Sequence, residues 1–137
     1  MLNVYELRAP AVYLLDLPGY GYARAGKAER AAFGRLVRYT LARPRLSGVV
    51  WLLDIRREPS ADDREVQNVL AEGGTRVLAA FTKGDKLPRG QRLSREHDLR
   101  DALALDADQA ILTSAKTGDG IPELKEAVAM LAREGQE

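Results

Sequence analysis

Residues 48–54 read Gly48-Val49-Val50-Trp51-Leu52-Leu53-Asp54, five apolar residues in a row closed by an acid. No alternation of period two is present, so both faces of a strand here meet apolar neighbours, as in buried parallel sheets. The chain beyond it keeps a regular beat. Ser60 is placed to cap a helix, with Asp62 and Asp63 in its first turn favouring the helix dipole, and the helix ends near Gly73-Gly74. Residues 77–82 form a second apolar strand, 94–105 a polar helix and 110–113 a short strand. Residues 121–133 form an amphipathic helix with Leu124, Val128 and Leu131 on one face. This alternation predicts an α/β fold with a mostly parallel sheet and right-handed crossovers.

Working back toward the N-terminus, residues 27–43 read as a helix with Phe33, Leu36, Val37 and residues 39–41 in a rough apolar stripe, stopped by Pro44. Residues 17–26 are rich in Gly and Pro and read as loop. Residues 11–15 and 2–7 read as strands separated by Arg8-Ala9-Pro10, close enough to form a hairpin.

A length of 137 residues predicts one domain. Twenty-one basic and 20 acidic residues leave a net charge of +1, so no broad field of one sign points to nucleic acid or membrane. With no cysteine and one histidine, disulfides and thiolate zinc sites are excluded. The opening MLNVYELRAP has no signal-peptide character, and the apolar run 49–53 is too short to span a bilayer. A cytoplasmic protein without a membrane partner is expected.

In parallel sheets, ligands bind beyond the carboxyl ends of the strands. Three boxes fall there in order: Asp16-Leu17-Pro18-Gly19, Thr82-Lys83-Gly84-Asp85 and Thr113-Ser114-Ala115-Lys116. An acid at a strand end can hold the water shell of a phosphate-bound magnesium ion. Gly19 lets a backbone N–H approach a terminal phosphate. The Asp85 carboxylate can accept from the ring N–H and the amino group of guanine, a donor pair that adenine lacks. A site built on such a pairing rejects the wrong base by roughly 10⁴ in the best cases. The Lys83 stem can lie along the base, and the Ala115 N–H can meet the guanine carbonyl. Each box alone also reads as ordinary turn chemistry; their conjunction and order carry the signal.

The stretch Asp16-Leu17-Pro18-Gly19-Tyr20-Gly21-Tyr22-Ala23 resembles the DLPGYGYA signature of the EngB/YihA/YsxC GTPases, bacterial members of the TrmE–Era–EngA-like group. The resemblance continues through residues 27–30, 48–56, 82–87 and 114–121. It implies a three-layer P-loop GTPase-like sheet with flanking helices, and GTP or GDP with Mg2+ as ligands. Asp16, Leu17, Pro18 and Gly19 would touch phosphate. Thr82, Lys83, Gly84 and Asp85 would read the base, and Thr113, Ser114 and Ala115 would close over it. Tyr20 stands where Ras-like proteins carry a water-orienting Gln, which implies slow hydrolysis. The family is associated with assembly of the large ribosomal subunit, hence with ribosomal RNA, and with division-septum formation.

The family's Walker A loop and switch I threonine have no counterpart in these 137 residues. The reading is therefore a single partial G domain over residues 1–137, without the first strand and first helix and with no catalytic residue assigned. That strand would lie centrally, between residues 11–15 and 48–53. Its gap could be filled by upstream sequence, by direct pairing of those two strands, or by a partner chain. Gly21 to Lys27 reads GxxxxGK, but Ala28 follows where a magnesium-ligating hydroxyl belongs. Three readings stay open: a GTPase-family protein whose catalytic half lies elsewhere, a non-catalytic protein- or RNA-binding remnant, and an unrelated phosphotransferase using Gly21–Lys27. Trp51 is expected in the core, Arg56 in a surface ion pair and His97 in solvent. Lys83, Lys86, Arg89, Arg92 and Arg95 could touch ribosomal RNA, and a solvated basic face is the favoured expectation.

Overall fold

The computed structural model describes residues 3–8, 11–17, 19 and 26–135. Strand β1 (Asn3–Arg8) pairs antiparallel with β2 (Ala11–Asp16), with Arg8 opposite Ala11, so Arg8 is strand rather than turn. The hairpin forms a two-stranded sheet of its own, and it leaves Val4, Tyr5, Tyr13 and Leu14 exposed. Helix α1 (Lys27–Leu41) follows. Strand β3 (Val49–Asp54), helix α2 (Ala61–Glu72), strand β4 (Val77–Thr82), helix α3 (Arg89–Ala102), strand β5 (Ala110–Leu112) and helix α4 (Ile121–Glu134) complete the chain.

Strands β3, β4 and β5 form a parallel sheet in that order, with Trp51 opposite Ala79 and Ala79 opposite Ala110. Because side chains alternate along a strand, Trp51, Leu53, Ala79, Phe81 and Ala110 share one face. There they pack with Ile55, with Leu70 of α2 and with Leu99 and Leu103 of α3 into the main core. Phe81 and Ile55 are wholly buried. Helix α4 lies on the opposite face, where Leu131 stands directly over Gly48. The expected three-layer arrangement is thus present, and Trp51 is in the core as expected.

Direct pairing of β2 with β3, one of the three ways to fill the central gap, does not occur. No described strand joins the outer edge of β3, and Leu52 on the α4 face is 62% exposed. Its β4 neighbour on that face, Ala80, is fully buried. The apolar run 48–54 is therefore buried on one face and open toward the free edge on the other.

Helix α2 starts as expected: Ser60 Oγ accepts from the Asp63 N–H at 3.1 Å, and the Asp63 carboxylate accepts from the Ser60 N–H at 2.8 Å, a complete capping box. Helix α3 differs from expectation, since it begins at Arg89, five residues before Ser94. Pro88 stands at its N-cap, and Arg89-Gly90-Gln91-Arg92 form a first turn with no apolar stripe to announce it. That early start is what brings Arg92 and Arg95 into the structure described next.

Candidate functional site

Strand β4 ends at Thr82, and the chain turns at once. Lys83 adopts φ 64° and ψ 34°, the left-handed region, and leads into a single 3-10 turn over Gly84–Lys86. For a residue with a Cβ this conformation costs roughly 1–2 kcal/mol, so the surrounding bonds must impose it. They do. The buried Gly84 donates its N–H to Thr113 O at 2.9 Å, and Thr113 donates its own N–H to Phe81 O at 2.7 Å. Thr113 Oγ1 adds a second bond to Phe81 O at 3.0 Å. A Cβ at position 84 would sit 3.1 Å from Thr113 O, so glycine permits the close approach.

This stitching brings the second and third boxes together. Ser114, almost wholly buried, donates from Oγ to Asp85 Oδ1 at 2.8 Å. The same oxygen accepts from the Thr117 N–H at 3.2 Å. Ser114 N–H is held by Asp119 O at 2.9 Å and Gly118 N–H by Ser114 O at 2.8 Å. The turn thus uses the N–H groups of Ser114, Thr117 and Gly118 and leaves that of Ala115 out of its scaffold. Hydrogen bonding from Ser114 holds the Asp85 carboxyl below the usual carboxylate range, against an opposing push from partial burial, with smaller help from Lys86 and Lys116. Asp85 is therefore an anion at neutral pH with one oxygen anchored and the other available.

An open cleft of about 470 Å³ lies over these groups. Its polar lining comes from Thr82, Lys83, Asp85, Lys86, Thr113 and Lys116, and its apolar lining from Leu52, Ala80, Ala115, Ile121 and Leu124. Its makeup, an apolar slot with one fixed carboxylate and several cations, suits a flat heterocycle bearing N–H donors and linked to anionic groups.

The first box does not join them. Asp16 ends β2 and is exposed, Leu17 is half-buried and Gly19 exposed, and none of the three lines the cleft. Pro18 lies outside the described residues, as does most of the Gly21–Lys27 segment. Strand β2 ends at Asp16 and α1 begins at Lys27. Among the described residues no three His, Asp or Glu side chains converge on a point.

The basic cluster is only partly a solvated face. Lys83, Lys86 and Arg89 are exposed. Arg92 and Arg95 are not free: their side chains are 23% and 19% exposed. Arg95 donates to Ile55 O at 2.8 Å, to Arg57 O at 2.8 Å and to Glu58 at 2.7 Å, which clamps the loop after β3. In that loop Arg56 grips Asp54 through two bonds of 3.0 and 2.8 Å and holds its carboxyl below the usual range. This is the expected surface ion pair. His97 is exposed, 3.5 Å from Asp101.

Two solved structures share this architecture. The crystal structure of a probable GTP-binding protein engB superposes with a TM-score of 0.73 over 89% of this chain and 77% of that one, at 21% identity. The FeoB G-domain from Methanococcus jannaschii does so with a TM-score of 0.55 over 96% and 79%. The fold is thus the α/β fold of P-loop GTPase G domains. No family model matches the chain. A probable GTP-binding protein EngB of Gemmatimonas aurantiaca is 45% identical over 119 residues, 86% of this chain and 58% of that protein. Its namesakes in Syntrophomonas wolfei and Exiguobacterium sibiricum are 42% and 39% identical, over 87% and 93% of this chain and 62% and 66% of their own lengths. The chain belongs to the EngB family and spans about three-fifths of the length of these relatives.

The left-handed Lys83 separates stability from recognition. Lys83→Gly removes the cost of the left-handed conformation and adds the flexibility cost of glycine, about 0.5–1 kcal/mol. The expected result is a melting temperature unchanged or slightly raised, together with weaker binding of a nucleotide held in the cleft, because the Lys83 side chain no longer lines it. Thermal denaturation and GDP titration of the same preparation check both halves.

Proposed function

We propose that this chain carries the base-recognising part of a guanine-nucleotide site, and that residues 82–85 and 113–116 form it. The observation behind this reading is the Ser114–Asp85 bond at 2.8 Å, which presents an oriented carboxylate at the cleft. Guanine supplies the two donors that such a carboxylate accepts. Thr82 and Lys83 flank the base, Gly84 lets the two loops meet, and Thr113, Ser114 and Ala115 close the far side. Asp16, Leu17, Pro18 and Gly19 form the phosphate-side contact of the family's site and act with residues outside this set. Mg2+ would enter with the phosphates.

The 137 residues hold no GxxxxGK[ST] sequence. With neither the phosphate-cradling backbone nor its lysine, the chain binds GDP weakly and turns over GTP at no useful rate. The family's first strand and helix would pack against the open edge of β3 and the exposed Leu52. This whole G domain would serve assembly of the large ribosomal subunit, and through it septum formation, in the cytoplasm.

Titration calorimetry of the chain with GDP, with ADP as control, tests the proposal. A preference for GDP of tenfold or more supports it; equal affinities overturn it. The pH dependence is a sharper check. A carboxyl with a lowered folded pKa keeps its stabilising charge above its ordinary value and loses it only as pH falls through the lowered one. The affinity for guanosine, which carries no phosphate to titrate, is therefore expected to stay level from pH 7 to 5 and to fall only below about pH 4, the ordinary aspartate range. A fall centred near pH 6 would contradict the role given to Asp85.

A further inference from the structure

We infer that Arg92 is the positioning residue that couples the two loops of the base site, an inference resting on the reading of Asp85 as the base acceptor. Arg92 lies one turn into α3 with its side chain mostly buried. Its Nε donates to Leu87 O at 3.1 Å. Leu87 closes the 3-10 turn that carries Asp85, its N–H bonded to Gly84 O at 3.2 Å. The other end of the same guanidinium reaches across, with Nη1 3.9 Å from Asp119 Oδ2. The backbone carbonyl of Asp119, not its carboxylate, accepts from the Ser114 N–H at 2.9 Å, and Ser114 Oγ donates to Asp85. One planar cation therefore touches both branches, through a hydrogen bond to Leu87 O on one side and a 3.9 Å charge contact with the Asp119 carboxylate on the other. A guanidinium presents donors in a fixed fork and can hold two acceptors at a set angle. The branches are 32 residues apart, Leu87 against Asp119, and among the described residues the Gly84–Thr113 and Ser114–Asp85 hydrogen bonds also join them, with Gly84 packed beside Leu112. Arg92 touches neither cleft nor ligand; it limits how far the Asp85 turn can swing from Ser114.

The test has two arms on the full chain. In amide hydrogen exchange followed by NMR, Arg92→Ala is expected to speed exchange at Leu87 and Ser114 tenfold or more while Ala79 and Phe81 in β4 keep their protection. Uniform acceleration across β4 would show general destabilisation and overturn the inference, as would unchanged exchange at Leu87 and Ser114. Arg92→Lys keeps a cation near Asp119 and loses the fork. It is expected to restore slow exchange at Ser114 but not at Leu87, and it serves if the alanine variant does not fold; parent-like exchange at both sites would overturn the inference. The second arm compares GDP with IDP, which lacks the 2-amino group and so pairs with Asp85 through one donor. Arg92→Ala should lower GDP affinity more than IDP affinity and bring their ratio toward one, whereas a purely structural loss lowers both equally. A parent chain that does not prefer GDP to ADP overturns the base-site reading itself, and the exchange arm then decides the coupling alone.

Discussion

Asp85→Asn is expected to lower GDP affinity roughly a hundredfold or more and to turn the preference toward XDP. Two hydrogen bonds to a charged acceptor are at stake, each worth about 1.5–3 kcal/mol. The asparagine amide offers one oxygen and one NH2 group, so the NH2 faces the amino group of guanine, donor against donor. Xanthine carries a carbonyl at that position and accepts from the amide, while its ring N–H still reaches the amide oxygen. Ser114 Oγ can keep its bond to the amide oxygen, so the turn itself stays in place. Competition calorimetry with GDP, XDP and ADP reads the outcome. An Asp85→Asn chain that still prefers GDP would place the base elsewhere.

The second large effect concerns the loop and not the ligand. Gly120 has φ 75°, and a Cβ built there would fall on the carbonyl oxygen of Leu112, with Thr113 Cα 3.2 Å away. Both neighbours are backbone, in β5 and at its end, and cannot swing aside as a side chain can. Gly120→Ala is expected to destabilise the chain by about 3 kcal/mol or more, the sum of left-handed strain and displaced backbone. For a domain of this size that is a fall in Tm of roughly 10 °C. Gly118 is the control, since it also has positive φ, 85°, but nothing lies within 4 Å of its Cβ position. Gly118→Ala should cost only the strain, about 1–2 kcal/mol. Thermal melts of the two variants side by side check this; equal losses would contradict the steric account.

Most of the architecture was legible because the physics behind it is local. An unbroken apolar run such as 49–53 has few fates besides a buried strand, and the Ser60 capping box is written within four residues. The boxes after β4 and β5 were legible because strand ends can be read from where apolar runs stop, and the structure brings Asp85 and Ser114 into contact. What escaped is non-local or carried by backbone. Helix α3 begins with a polar turn containing Gly90, so no periodicity marks its start at Arg89. Arg92 and Arg95 look like surface charge in sequence, yet their acceptors are carbonyls at Leu87 and, 40 residues away from Arg95, at Ile55. The left-handed Lys83 has no signature, because the bonds that impose it come from residue 113. The sequence left direct pairing of residues 11–15 with 48–53 open, and the structure keeps the β1–β2 hairpin as a sheet of its own.

Which atoms meet the base is tested most directly by an NMR titration of the isotope-labelled chain with GDP at millimolar concentration, with ADP in parallel. Shifts confined to the amides of residues 82–86 and 113–117, produced by GDP and not by ADP, are the predicted result. Equal shifts from both nucleotides, or shifts centred outside these two loops, would contradict the assignment of residues 82–85 and 113–116 as a guanine site.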